Sequence, residues 1–463
     1  MKLYGDHIMF EGKNITLKDL IKLGSTIETE IVDWTLDGRG VGKYRSFTVF
    51  VNGGIGAKKC LVRITRVKKS YAEGDLVECL EKSDKLRRID FDPRPLSFSY
   101  PFLEIDEGAQ AQWKKKMIQE QLRRLGGVET DVIFHPYPHM EYRNKVNLRL
   151  DGEGYLSYSM RGTNELLRID NDPFAVRSIQ GLIGRWQERA PEEFKRSSVQ
   201  IHRKIRMVVF RANSKGQTMV VLVTDPLNSR ERKELFDAVE LLDSHILCTC
   251  ENTRKGDISL NGDFHYSGEN RYLDESLMGL QLRLSPASFL QVNVFSIEDL
   301  YTKALDLLGD ISGKNVLDLY CGTGITSVLM EKRGGRVLGI ELDGDAVNDA
   351  KENARLNGAS NVEFIRGRVE DCLNMQEDFG ADLALVDPPE KGMDESVTDA
   401  IKASNIQRLV YVSCNPSSLS RDVKRLSDGG FIVQEVHGFD QFFCTGHVEV
   451  LALLVKERSD AEK

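Results

Sequence analysis

The sequence predicts an α/β fold: a doubly wound, mainly parallel sheet in the C-terminal part, preceded by an α+β segment and a small closed β-barrel. Three observations carry this. Beyond Ser296, short apolar strands alternate with amphipathic helical stretches, the rhythm of a parallel sheet whose crossovers are helices. Between residues 24 and 80 the pattern has period two and is broken by glycine turns such as Asp37-Gly38-Arg39-Gly40-Val41-Gly42, which suits a small barrel. The 463 residues exceed what one hydrophobic core fills, so two or three domains are expected, with spans 18–90, 95–285 and 286–463.

Each element follows from local pattern. Ile27–Val32, Phe47–Val51 and Cys60–Ile64 read as barrel strands. A proline-bearing linker at 92–101 leads to a helical run from Gln110 to Arg124, and Val146–Leu150 and Met207–Phe210 read as strands of the middle segment. Ser296 with Asp299 is a capping-box signal before Ile297, Leu300, Tyr301, Ala304, Leu305 and Leu308, which recur at helical spacing. Strands are then expected at Val316–Leu319, Val337–Ile340, Val362–Ile365, Leu383–Val386, Leu409–Val412, Ile432–Val436 and Val450–Leu454, with helices at Asp345–Leu356 and Ser418–Leu426.

Bulk properties exclude several classes. No apolar run reaches the length of a membrane span and no leader precedes the first domain, so a cytoplasmic protein without a membrane partner is expected. Eight cysteines at 60, 79, 248, 250, 321, 372, 414 and 444 contain no CxxC pair, which argues for reduced thiols and no metal site. With 63 Lys and Arg against 71 Asp and Glu, the net charge of −8 argues against a surface that binds nucleic acid everywhere. A polyanion has to be met locally, and two basic runs stand out, Lys58 to Lys69 and Lys114 to Arg124, although either run taken alone reads first as a solvated charged face.

The chemistry lies at the ends of the C-terminal strands. Asp318-Leu319-Tyr320-Cys321-Gly322-Thr323-Gly324 separates a strand from a helix, where Gly322 and Gly324 let backbone approach a ligand. Glu341 closes the next strand about 20 residues later, where a carboxylate grips ribose hydroxyls in such folds. The third glycine of the dinucleotide fingerprint is missing, which disfavours nicotinamide cofactors and suits S-adenosylmethionine. Asp387, before Pro388 and Pro389, sits at the same sheet edge with its chain held stiff. Cys414 is a candidate nucleophile at the end of the fifth strand, with inert core packing as the alternative. Glu449 interrupts the most apolar strand and is either a desolvated base or a salt-bridged strand end. His447-x-Glu449 lacks the downstream Pro-Cys-x-x-Cys of zinc deaminases, so that reading fails.

Ser288-Phe289-Leu290-Gln291-Val292-Asn293, the stretch Val316 to Gly324, Asp387-Pro388-Pro389, Ser413-Cys414-Asn415-Pro416 and Thr445-Gly446-His447-Val448-Glu449 stand in the order found in RNA uracil-5 methyltransferases, and the chain resembles that family over nearly its whole length. The resemblance implies a class I S-adenosylmethionine-dependent, Rossmann-like catalytic domain, an N-terminal TRAM (OB-like) barrel and a central RNA-binding domain. It implies Gln291, Tyr320, Glu341 and Asp387 around cofactor and reaction centre, Cys414 as nucleophile, Glu449 as base, and Tyr142-Arg143-Asn144-Lys145 near substrate RNA. Ribosomal RNA of the large subunit is the favoured substrate by this likeness and transfer RNA the runner-up, with the basic runs gripping phosphates.

Two departures qualify the likeness. Relatives that carry an iron-sulfur cluster have three cysteines before the helix holding Trp113 and one before Pro173; here residues 98–112 contain none and Asp172 precedes Pro173, so no cluster is expected. Glu390 replaces the arginine common after Asp-Pro-Pro. A non-catalytic RNA-binding assembly factor and a cytosine-5 methylase remain as other readings; oligomeric state is not readable.

Overall fold

The computed structural model describes residues 3–4, 7–10, 13–16, 21–45, 47–160, 165–197, 200–254, 256–373 and 379–457. Two compact units emerge: Met1–Trp113 with Phe442–His447, and Lys114–Gln441 with Val448–Lys463.

The first unit opens with a three-strand sheet of β1 (Leu3–Tyr4), β2 (His7–Phe10) and β3 (Lys13–Thr16). Then β4 (Thr26–Trp34), β5 (Gly40–Tyr44), β6 (Phe47–Asn52), β7 (Ala57–Val67) and β8 (Tyr71–Lys82) close into a barrel in the order β4-β5-β6-β8-β7. Alternation aims Ile27, Val49, Val51, Cys60, Val62, Ile64 and Ala72 inward to form its core. The returning segment Phe442–His447 is fastened in the same unit by the Cys444 amide, which donates to Gln110 Oε1 at 3.0 Å. Gly446 is there for space: a Cβ would lie 2.5 Å from the Leu36 carbonyl oxygen.

In the second unit, helix α1 (Glu107–Gln121) runs in from the first and continues as a π-turn at Leu122–Gly126. After β9 (Ile133–His135) come β10 (Lys145–Leu150), β11 (Leu156–Ser159), β12 (Leu166–Arg168), helix α2 (Arg177–Arg196), β13 (Ile205–Ala212), β14 (Thr218–Thr224), helix α3 (Ser229–Val239), β15 (Ile246–Glu251) and β16 (Asp263–Tyr266). They form a seven-stranded sheet ordered β12-β11-β10-β13-β14-β15-β16, antiparallel except for β14 with β15. A hairpin of β17 (Leu273–Leu277) and β18 (Leu280–Leu284) follows, and its leucines share one core with Met207, Val209 and Val221 of that sheet.

The remaining elements are α4 (Ile297–Leu308), β19 (Asn315–Leu319), α5 (Ile325–Lys332), β20 (Arg336–Glu341), α6 (Gly344–Leu356), β21 (Val362–Arg366), α7 (Val369–Cys372), β22 (Leu383–Val386), α8 (Glu395–Ala403), β23 (Arg408–Ser413), α9 (Pro416–Ser427), β24 (Phe431–Phe439) and β25 (Glu449–Lys456). The sheet order is β21-β20-β19-β22-β23-β25-β24-β9, with β19 to β23 mutually parallel and β25 antiparallel to both neighbours. The strand order reverses beside β19, the position where open α/β sheets bind ligands. Among the described residues no helix is long and apolar enough to cross a membrane.

Four expectations need correction. The capping box at Ser296 is not made: its hydroxyl donates to the Asn293 carbonyl, and Asp299 instead accepts from the Tyr137 hydroxyl at 2.8 Å. Glu449 does not interrupt a strand but begins one, because Phe442–His447 belongs to the other unit. The sheet gains an edge strand, β9, that three residues of pattern do not betray. The basic runs are paired in part: Lys58 pairs with Glu81 and Lys59 with Glu28, both at 2.6 Å, and Lys115 with Asp131 at 3.0 Å. Lys114 is wholly buried, 2.6 Å from Asp440, whose side chain is 3% exposed.

Removing one member of such a buried pair strands the other charge, so Lys114→Ala should cost about 3–5 kcal/mol of stability. Lys114→Met with Asp440→Leu should recover most of that loss. Urea unfolding of both variants checks this; an unshifted midpoint for the single variant would show that the pair is not needed.

Candidate active site

Strand β19 delivers its chain to the sheet edge and the backbone then turns sharply. Tyr320 (φ 64°), Gly322 (φ 52°) and Gly324 (φ 75°) all lie in the left-handed region, which only the two glycines adopt without steric cost. The turn is tied to β20 by the Tyr320 amide, which donates to the Ile340 carbonyl at 2.9 Å. Glu341 braces it from the side, one carboxylate oxygen accepting from the Gly322 amide at 3.0 Å and the other from the Asp343 amide at 2.9 Å. Beneath the turn, Asp318 is buried and accepts from the hydroxyls of Thr326 (2.7 Å) and Ser327 (2.5 Å) at the start of α5.

Above this edge lies a cavity of about 480 Å³, within the range of small-molecule sites. Seven of the eight residues expected at the site line it: Gln291, Tyr320, Gly322, Glu341, Asp387, Cys414 and Glu449. The eighth, Gly324, is not part of the lining. It precedes α5, and a Cβ there would meet Ala350 and Phe364 at 2.8 Å, so its role is close packing. A Cβ on Gly322 would meet no protein atom within 4 Å, so a side chain there would take up open space at the cavity wall.

The supports come from several elements. Asn144 donates to the Gln291 carbonyl at 3.0 Å, so the Tyr142–Lys145 motif holds the loop that carries Gln291. Ser285 and Ser288 both donate to Asp349, fixing the turn before Phe289. Asn415 ends β23 and caps α9 through the Ser417 amide (2.9 Å), while its side-chain amide donates to the Glu390 carbonyl at 3.2 Å. That ties the cysteine turn to the Asp-Pro-Pro loop. Glu449 opens β25, whose next residue, Val450, lies in register with Ser413.

Burial dominates the electrostatics. It pushes the Asp387 carboxyl up to about 7, with the Asp318 and Glu341 charges adding to the effect, and raises Asp318 to about 6. Glu449, 2% exposed, is raised well above the usual carboxylate range by burial and then by Asp387. The Cys414 thiol is pushed up to about 12 by burial, then by Glu449, Asp387 and Glu390. Five lining carboxyl groups (Glu341, Glu370, Asp387, Asp394, Glu449) face two cations, Arg368 and Lys391. Arg368 pairs with Glu370, and Lys391 lies 3.4 Å from Asp394. A ligand bearing positive charge is favoured in such surroundings.

Sequence reasoning missed Phe289, Leu342, Arg368, Val369, Glu370, Lys391 and Asp394. Arg368 to Glu370 follow β21 at the same sheet edge, so the strand-end rule that found Glu341 and Asp387 was available for them too. Among the described residues no group of three or more His, Cys, Asp or Glu side chains is arranged to hold a metal ion.

Comparison with known proteins bears on this geometry. The family model described as tRNA (Uracil-5-)-methyltransferase matches residues 106–457. A Clostridium acetobutylicum protein described as an uncharacterized RNA methyltransferase is 31% identical over 455 residues, covering 94% of this chain and 98% of its own length. A Caldanaerobacter subterraneus protein of the same description is 31% identical, with 94% and 99% covered. Among solved structures, the Pyrococcus abyssi tRNA (uracil-54, C5)-methyltransferase in complex with S-adenosyl-L-homocysteine superposes with a TM-score of 0.73 at 25% identity, over 92% of this chain and 99% of that one. The chain therefore belongs to the tRNA (uracil-5-)-methyltransferase family of RNA-methylating enzymes.

Proposed function

We propose that the protein forms 5-methyluridine in RNA using S-adenosylmethionine, with Cys414 as nucleophile and Glu449 as base. The observation that carries this reading is the convergence of a thiol, the buried Glu449 and the half-buried Asp387 and Glu341 on one cavity with the glycine turn. The residues fit the cofactor: Glu341 suits ribose hydroxyls, the bare Gly322 leaves room for a ligand close to the backbone, and Phe289, Leu342 and Val369 offer apolar walls for a base. When bound, the cofactor supplies an electrophilic methyl group on a sulfonium whose positive charge favours the ionised forms of Cys414, Asp387 and Glu449.

Uracil C5 is a weak nucleophile, and the work of the chain is to change that. The Cys414 thiolate adds to C6, breaking the C5–C6 π bond and leaving an enolate with electron density on C5. Once C5 carries the methyl group, the Glu449 carboxylate takes the C5 proton. The electron pair of that C–H bond re-forms the C5–C6 double bond and expels the Cys414 thiolate. A raised carboxyl pKa makes Glu449 a strong enough base for this proton. The uridine has to leave its stack or lie in a loop to enter.

The barrel, of the TRAM type by sequence likeness, supports large-subunit ribosomal RNA as the substrate. A second reading, transfer RNA, is favoured by the Pyrococcus abyssi enzyme, which matches over 99% of its length and acts at uracil 54 of tRNA. Labelled methyl transfer to unmodified transcripts of each RNA, with digestion to nucleosides, separates the two; 5-methylcytidine or no product in either would overturn the reading.

Cys414→Ala should lower turnover at least a thousandfold while cofactor affinity by calorimetry stays within threefold; residual activity within tenfold of wild type removes the thiol from the chemistry. Glu449→Gln should trap an enzyme–RNA adduct stable on denaturing gels, and ongoing methylation without adduct would reassign the base. Because burial and the neighbouring carboxyl groups push the Cys414 thiol up to about 12, its iodoacetamide labelling should rise about tenfold per pH unit from 7 to 9. The check is mass mapping of that peptide; a plateau below pH 9 contradicts it.

A further inference from the structure

A second cavity, about 590 Å³, shares Lys391 with the catalytic one and is bounded by Asn415, the residue after the nucleophile. Neighbouring Cα atoms are about 3.8 Å apart, so its wall and the reacting sulfur belong to adjacent positions of one turn. Four cations, Lys391, Arg421, Lys424 and Arg425, line it against one carboxylate, Glu390. Two of them are set in place from below. Asp422, fully buried, accepts from Arg421 Nε at 2.9 Å and from Arg425 at 3.4 Å, and also from the Tyr411 hydroxyl and Met393 amide at 2.8 Å; Arg421 donates further to the Lys391 (2.8 Å) and Met393 (3.2 Å) carbonyls and Arg425 to the Met393 carbonyl (3.4 Å), which leaves part of each guanidinium fork to face the groove. Asp394 and Glu395 draw on Lys391 (3.4 Å) and Arg425 (3.7 Å), whereas Lys424 stands exposed on α9. Ser417 and Ser418 add hydroxyls to the lining, that of Ser418 donating to the Asn415 carbonyl at 3.0 Å, and Leu125 adds an apolar wall.

We propose that this groove holds a backbone phosphate of the RNA beside the uridine whose base enters the catalytic cavity. The inference rests on the RNA-methylation reading and adds a contact to it. Fixed guanidinium forks and ammonium groups are what a phosphodiester asks for, and a phosphate gripped here sets the depth to which the adjoining base reaches Cys414. Such contacts hold RNA without reading its sequence.

The test uses the full-length protein and a fluorescent, unmodified uridine-loop hairpin transcript, titrated from 50 to 300 mM KCl. Each lost phosphate contact on single-stranded RNA flattens the slope of log K against log[salt] by about 0.7. Lys424→Ala should flatten it by about that amount, Lys424→Glu should weaken RNA binding about tenfold, and Lys424→Arg should restore both, with cofactor affinity unchanged throughout. Ser417→Asp is the second variant: a carboxylate in the first turn of α9 favours the helix, so the thermal midpoint should hold or rise while RNA affinity falls at least fivefold. Wild-type slope and affinity in Lys424→Glu and Ser417→Asp would overturn the groove. If the wild type methylates no RNA yet the variants still flatten the slope, the groove stands and the reaction assignment fails.

Discussion

Three carboxyl groups with restricted access to water at one sheet edge are the constraint around which the rest is arranged. Asp318, Asp387 and Glu449 each leave or adjoin a strand of the same sheet, and all three are lifted above the ordinary carboxylate range chiefly by burial. Burying ionisable groups is expensive, and the protein meets the cost in different ways. Asp318 receives two hydroxyls from α5. Asp387 and Glu449 face the cavity, where their demand for positive charge is a property a cationic ligand can satisfy.

The remaining architecture keeps that edge in register. Parallel β19, β20, β22 and β23 end together, so turns distant in sequence meet by geometry rather than by pairwise attraction. Hydrogen bonds then lock each turn to its neighbour: Glu341 to the glycine turn, Asn415 to the Asp-Pro-Pro loop, and Asn144 to the Gln291 loop. The middle sheet thus contributes to the site by holding backbone, a role that side-chain chemistry in the sequence does not advertise. The same logic explains why Tyr320 tolerates a left-handed backbone: the hydrogen bond that its amide donates to the Ile340 carbonyl is the link that starts the turn.

Much of the sheet was readable beforehand. Strand starts from Val316 to Val450 lie within one residue of their observed positions, because buried parallel strands are continuous apolar runs that end abruptly. The thiol and carboxylates were readable for a related reason: they stand where those runs stop. What escaped was set by tertiary context. The outer half of β8 is exposed, so Tyr71–Lys82 shows no sustained alternation, and β9 is too short to have a period. Arg368, Lys391 and Asp394 sit in loops whose facing depends on neighbours far along the chain. The pairing of Lys58, Lys59 and Lys114 was not readable because their partners, Glu81, Glu28 and Asp440, are brought in by strand pairing and by the fold.

One consequence follows from the return of Phe442–His447 to the first unit. Ribosomes build proteins from the amino end, so a barrel whose own core lies between Ile21 and Leu76 can condense early, yet Gln110 waits for the Cys444 amide until over nine-tenths of the polypeptide has been made. Assembly of the amino-terminal body is thereby completed last, by a strap that leads within two residues to Glu449. Truncation before that strap would remove Glu449 from the cavity and leave the earlier body unfinished at the same stroke.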